Sequence, residues 1–440
     1  MAQGTTTLPD TLPQPRIDPQ RMAWGVLLLS FAIFCSICII TGLGLNYFLF
    51  QSTVLMETEV QVGRGSVSVN LSTVYDHTSL TNAAGLRTDS QAQSTIFFRD
   101  PQNGDRLIAS ITIRANTNMT LRRAVRPRFR WSSGAYTLEI EDLVGDLDIF
   151  VPDNLERDFR LTVQSRQGAL ADFGSSGQYF VSASESQMRV TNRQGQVSLI
   201  PSNSNEGRAI PVNNMGVIVF DPPDGGVTLS PAFINLIQNS TFQDVVTTQD
   251  NNGQSVLGLA TSWGCTNSTT NLPRGSYQAE MEDGRYLLHF LRGENAETNG
   301  ETRCGTFPSG GYDVTSYSTL ILRAAFNIQY QSLNACGSQG SECPLMLRVD
   351  YTDIHGGNHI WYHGFYARLD PQLNDPKSCD SCTTEHEQVN LNKWYTYDSG
   401  NWFTLFSPDT RPATILNVQF YASGHQYDVY VGEVALLAGS

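Results

Sequence analysis

The chain has 440 residues, only 16% of them charged, and a formal net charge of −14. The acidic balance argues against a nucleic-acid partner, because phosphate binding needs a basic face. At ~150 residues per domain the length suits two to three domains, and abundant Ser, Thr, Asn, Gln, Gly and Tyr suit an extracytoplasmic β-rich protein better than a cytosolic helical one.

Residues 1–23 are polar, carry four prolines and show no apolar periodicity, which predicts a disordered tail. The next stretch, Trp24–Phe50, reads WGVLLLSFAIFCSICIITGLGLNYFLF, and no charge occurs between Arg21 and Glu57. At ~1.5 Å per residue it makes a helix of roughly 40 Å, enough to cross a hydrocarbon core of ~30 Å. It lacks the polar stripe of a globular helix and the small-x-small cleavage pattern of a signal peptide. We therefore expect a single transmembrane helix. Arg16 and Arg21 precede it while Glu57 and Glu59 follow it. The positive-inside rule then places the tail in the cytoplasm and the bulk of the chain outside.

From 57 to 213 short runs alternate at period two, as in VQVGRGSVSV, ASITIRANTNMTLRR, YTLEIED and MRVTNRQGQVSLIP, punctuated by Gly, Asn, Asp and Pro. This is the signature of strands joined by tight turns, and an all-β domain is expected. Within it, LRRAVRPRFRW supplies Arg122, Arg123, Arg126, Arg128 and Arg130. The run is either a patch for phosphate, anionic glycan or lipid headgroups or an edge strand blunted by charge and Pro127.

The succession of Asp89, Ser90, Ala92, Phe98 and Asp100, then Thr117 and Leu121, then Gly168, Gly177, Tyr179 and Gly195 resembles the periplasmic β domain of the ferric-citrate regulator (FecR) family. The resemblance implies an outer β module and, in the family's signalling members, an anti-sigma role that uses a helical cytoplasmic domain. Here only the short tail precedes the helix, so direct sigma-factor control is not carried over.

Residues 214–230 hold Pro222, Pro223, Gly225 and Gly226 and are expected to link two domains, although GVIVF within them suits one last strand. Residues 231–440 return to strand-like, aromatic-rich runs whose spacing suits a two-sheet β-sandwich. Its ends, with Asn235, Asn239, Phe242 and Trp263 at the start and Tyr427, Asp428, Val431, Val434 and Leu436 at the close, resemble the galactose-binding-like jelly rolls of carbohydrate-binding modules. The resemblance implies a glycan ligand. Many relatives hold a structural calcium near the termini, and Asp244 and Glu433 are the candidate ligands here.

All six cysteines outside the apolar run fall in this last domain. An even set confined to one domain fits disulfides in an oxidising compartment. The expected pairs are Cys265 with Cys304, Cys336 with Cys343, and Cys379 with Cys382, one of 15 arrangements. Zinc ligation by Cys379-x-x-Cys382 with His386 is the competing reading. For a ligand, His359, Trp361 and His363 would share one strand face, and Trp394 and Trp402 offer further flat rings. The competing reading places the same rings in the sandwich core. No GxSxG, HExxH, P-loop or dinucleotide fingerprint occurs, so no enzyme is expected. The sequence thus describes a membrane-anchored extracytoplasmic binding protein that recognises carbohydrate, or alternatively an envelope sensor or scaffold acting through a protein partner.

Overall fold

The computed structural model describes residues 19–220, 226–249, 255–259, 262–268, 271–293 and 295–439. The expectations for residues 1–18 and for Pro222, Pro223 and Gly225 lie outside them. The chain divides into two units, Met1–Thr53 with Pro127–Gly134, and Val54–Arg126 with Ala135–Ser440.

The first unit is built on the helix Pro19–Asn46, which closes in a π-helical turn at Tyr47–Gln51. It is apolar on every side and, apart from half-buried Cys35, exposed from Gln20 onward. By length and composition it is able to cross a membrane. The segment Pro127–Gly134 packs on its end: Phe129 meets Phe48 edge-on at 5.5 Å, and the Arg128 guanidinium lies 5.4 Å from the same ring centroid. Trp131 stacks on Phe129 at 4.8 Å and stays 64% exposed.

The second unit contains two β domains. In the first, alternation at period two places Val60, Val62, Ile96, Phe98, Ile111, Leu138, Ile140, Leu147, Val181 and Val190 in one core. Two sheets enclose it, and the long strand Tyr136–Val151 belongs to both. Its first half lies between Asn118–Pro127 and Phe159–Ser165, its second between Arg106–Ile113 and Gly177–Ala183. The strand bends at Gly145, where φ is 121° and where a Cβ would collide with Thr117. Thr117 Oγ1 accepts from the Asp146 amide at 3.0 Å and fixes the bend. The predicted linker is in part a strand: Asn214–Val219 pairs with Gln187–Gln194 and then with Thr228–Pro231. The Val–Ile–Val run buries its inward positions, and that burial outweighs the nearby prolines.

The second β domain is the expected sandwich. One sheet is centred on Tyr427–Gly439, flanked by Arg285–Arg292 and Thr319–Gln331. The facing sheet runs Gly264–Asn267, Gly300–Thr306, Pro412–Gly424, Leu345–Asp353 and Asn358–Tyr366. Phe242, Trp263, Phe290, Phe326, Leu347, Val349, Phe365 and Phe420 fill the space between them.

The two β domains are joined by ion pairs. Arg323 reaches Asp148 at 2.7 Å, Arg114 holds the other Asp148 oxygen at 2.8 Å and also reaches Asp398 at 3.2 Å, and Arg99 pairs with Asp283 at 2.7 Å. Arg64 bonds Glu387, and Asn390 donates to the Val62 carbonyl at 2.8 Å.

Candidate functional site

The residues that carry the FecR resemblance form structural locks. Asp89 accepts from the Ser66 amide and hydroxyl at 3.0 and 2.9 Å. Asp100 accepts from Tyr136 Oη at 2.8 Å and caps the turn at Gln102. Tyr179 Oη accepts from the Gln196 amide at 3.0 Å and leaves room only for glycine at 195. These positions specify strands and turns and leave function open. The arginine run is likewise divided: Arg122 pairs with Glu141, Arg123 lies 3.7 Å from Glu139, and buried Arg126 lies 3.3 Å from Asp100.

Of the predicted aromatic set, Trp361, His363 and Trp402 come together, but in the buried core. Trp361 and Trp402 are 5% and 0% exposed and lie in the sandwich core, their rings 5.2 Å apart. Neither offers a ring face to a sugar, because a core between two sheets is where strand alternation sends the largest apolar side chains. His363 is buried with them, stacked 4.8 Å from Tyr397 and bonded through Nδ1 to Thr384 Oγ1 at 3.0 Å. His359 closes a turn instead, with Nε2 2.7 Å from Asp353 Oδ2. Trp394 stands at the junction of the β domains against Gly432, where a Cβ would lie 3.2 Å from its ring.

Glu433 is engaged by Arg323 at 3.2 Å and Arg193 at 3.6 Å, whereas Asp244 sits on an exposed turn tied through its backbone to Asn239. Among the described residues, the groups of three or more candidate ligands include neither carboxylate. The cysteines form the three expected disulfides, Cys265–Cys304, Cys336–Cys343 and Cys379–Cys382. His386 lies beside the last two. Its Nδ1 accepts from the Gly364 amide at 2.9 Å and its Nε2 donates to the Gly340 carbonyl at 2.7 Å. Both nitrogens and all four sulfurs are engaged in this arrangement, which staples the two disulfide loops together.

A different surface has the chemistry of a binding site. On the second sheet of the sandwich, the residues that alternate away from the core are Glu301, Arg303, Gln419, Tyr421, Arg348, Asp350, Asn417 and Tyr362. Cross-strand register sets Arg303 beside Tyr421, Arg348 between Gln419 and Tyr362, and Asp350 beside Asn417. Arg348 donates to Asp350 Oδ1 at 2.8 Å and lies 5.5 Å from the Tyr362 ring centroid. Asn417 Nδ2 donates to Asp350 Oδ2 at 3.2 Å, leaving Asn417 Oδ1 buried without a hydrogen-bond partner. Gly305 keeps the edge open, since a Cβ there would press on Gln419 and Phe307, and Phe307 is 66% exposed.

The electrostatics of this face follow from crowding. Burial raises Glu301 above the usual carboxylate range, with Arg303 and Arg348 only partly opposing it. Burial also raises Tyr421, helped by Glu301, so it stays a neutral donor and acceptor. Asn417, Gln419 and Tyr421 are themselves buried and orient the layer above them, so the groups within reach of vicinal hydroxyls are half-buried Arg348, Asp350 and Tyr362, with Glu301 and Arg303 beside them. Sequence reading missed this set because its members are spread over four strands, and only register unites them.

Comparison with known proteins returns only low-scoring structural matches. No family model matches the chain, and no curated protein matches it. A candidate anti-sigma factor of Parabacteroides distasonis matches at 17% identity over 34% of this chain and 59% of its own, with a TM-score of 0.24. The chain thus spans about 59% of that relative's length. The family 11 carbohydrate-binding module of the Clostridium thermocellum cellulase Lic26A-Cel5E matches at 9% identity, covering 44% of this chain and 95% of its own, TM-score 0.24. The module TmCBM61, solved with β-1,4-galactotriose, matches at 9% identity over 47% of this chain and 99% of its own, TM-score 0.24. At such scores the functional argument rests on the site alone.

Proposed function

We propose that this is a membrane-anchored, extracytoplasmic binding protein whose C-terminal sandwich recognises a carbohydrate on the outer face of its second sheet. The observation that carries this reading is the register of Arg348, Asp350, Asn417, Gln419, Tyr362 and Tyr421, which gathers neutral and charged hydrogen-bonding groups beside aromatic rings on one surface. The apolar helix supports anchoring, and three disulfides support an oxidising compartment for everything that follows it. The N-terminus then lies in the cytoplasm, in keeping with Arg16 and Arg21.

A glycan array probed with the full chain tests the ligand class: retention of neutral oligosaccharides is expected, and an array without signal would overturn it. Protease treatment of intact cells tests the orientation, with loss of the β domains from outside expected and full protection contradicting it. A second reading, an envelope sensor or scaffold, is favoured by the ion pairs that fasten the first β domain to the sandwich, since they would carry a change in one to the other.

A further inference from the structure

The junction of the two β domains forms a half-open cavity of about 230 Å3 that the sugar-face reading leaves unused. Its wall carries Arg193, Arg285 and Arg323 and the carboxylates Asp148, Asp153 and Glu433. The charges match in number but are unevenly paired. Arg323 takes one oxygen of Asp148 at 2.7 Å and one of Glu433 at 3.2 Å, while Arg114 takes the second Asp148 oxygen at 2.8 Å. Arg193 comes only within 3.6 Å of Glu433, beyond hydrogen-bond distance.

Arg285 has no carboxylate of its own among the described residues. Asp283, the nearest in sequence, forms a two-point pair with Arg99 at 2.7 and 3.1 Å. The Arg285 guanidinium lies 3.7 Å from the centroid of the Phe150 ring and donates through Nη2 to Ser110 Oγ, and its Nε is buried without a hydrogen-bond partner. Burial pushes this group down to about 10, and Asp283 and Glu433 offset only part of that. A buried cation is costly unless an anion meets it, and a guanidinium fork matches an oxyanion in shape as well as charge.

We propose that this cavity binds one oxyanion group, a carboxylate, sulfate or phosphate carried by a small ligand, held by Arg285 and Arg193 with Arg323 behind them. Thr241 and Gln243 on the same wall supply neutral partners for the rest of the ligand. The volume is several times the ~30 Å3 share of one water, so it admits an inorganic oxyanion or a sugar acid.

The test is calorimetric titration and thermal melting of the full chain in detergent with phosphate, sulfate or glucuronate, chloride holding ionic strength constant and glucose as the neutral control. At least one anion is expected to bind saturably and raise Tm, glucose to do neither, and the anion that binds identifies which source the site serves. Arg285→Gln and Arg193→Gln should each weaken binding tenfold or more, and Arg122→Gln, on an exposed strand, should not. If Arg285→Gln fails to fold, Arg193→Gln decides alone. Absence of binding by all three anions, an equal effect of glucose, or wild-type affinity in Arg193→Gln would overturn the proposal.

Discussion

Arg323 Nη2 lies 2.7 Å from Asp148 Oδ1, tying the sandwich strand Thr319–Gln331 to the bent strand Tyr136–Val151 of the first β domain. Both side chains are largely buried, so the pair fixes how the domains meet more than it adds stability. Removing one partner is a different matter. Asp148→Asn leaves Arg114 and Arg323 short of negative charge and is expected to cost about 3–5 kcal/mol. Burial alone would raise Asp148, but Arg114, Arg323 and Arg193 outweigh it and hold the carboxyl well below its usual range. Its contribution is therefore complete above about pH 4 and is lost as pH falls through the depressed value. Urea unfolding of wild type and variant should differ most near neutrality and converge in strong acid; a constant difference would contradict the assignment.

His289 carries the opposite sign. Its Nδ1 lies 2.8 Å from Glu280 and its Nε2 2.8 Å from Asp428. Burial would lower its pKa, yet the hydrogen bonds to Asp428 and Glu280 outweigh burial and raise it. The stabilisation is complete below the ordinary histidine value of ~6.5 and fades as pH rises through the higher folded value. His289→Phe should flatten the fall of Tm with pH in that window. An NMR ring titration with a midpoint at or below 6.5 would refute the arrangement.

Gly195 is held at φ 105°, and a Cβ there would collide with the Tyr179 hydroxyl and the Ser176 carbonyl. Gly195→Ala is expected to cost about 1–3 kcal/mol from backbone strain alone, with more from the broken Tyr179 hydrogen bonds. Chemical denaturation should show a lower midpoint, and wild-type stability would show that the turn relaxes freely.

The disulfides should differ in worth. Cys265–Cys304 closes a separation of 39 residues and Cys379–Cys382 one of 3. Loop-closure entropy gives about 4 kcal/mol for the first and about 2 kcal/mol for the second. Paired Cys→Ser variants measured by thermal unfolding should keep that order; a reversed order would mean that the short bridge is held by more than its loop.

Most of the architecture was legible in the residues. Period-two alternation announced the strands and the charge-free run from Met22 to Met56 announced the helix, while the expected cysteine pairs, one arrangement of 15, are the three disulfides of the structure. Within the stretch read as a linker, the GVIVF run that suited one last strand does form one, Asn214–Val219, because its apolar positions pair with Gln187–Gln194 regardless of nearby prolines. The site was harder to read. Trp361 and Trp402 look the same in sequence whether they face a groove or a core, and only the opposing sheet decides. Asp350, Asn417, Gln419 and Tyr362 carry no local motif, since cross-strand register alone makes them neighbours.

The central claim is that the outer face of the second sheet binds carbohydrate, and the direct measurement is affinity for the best array glycan in Asp350→Ala, Tyr362→Ala and wild type. Both substitutions lie on a half-buried surface and should leave Tm within a few degrees while weakening binding tenfold or more. Wild-type affinity in both variants, with the fold intact, would contradict the claim.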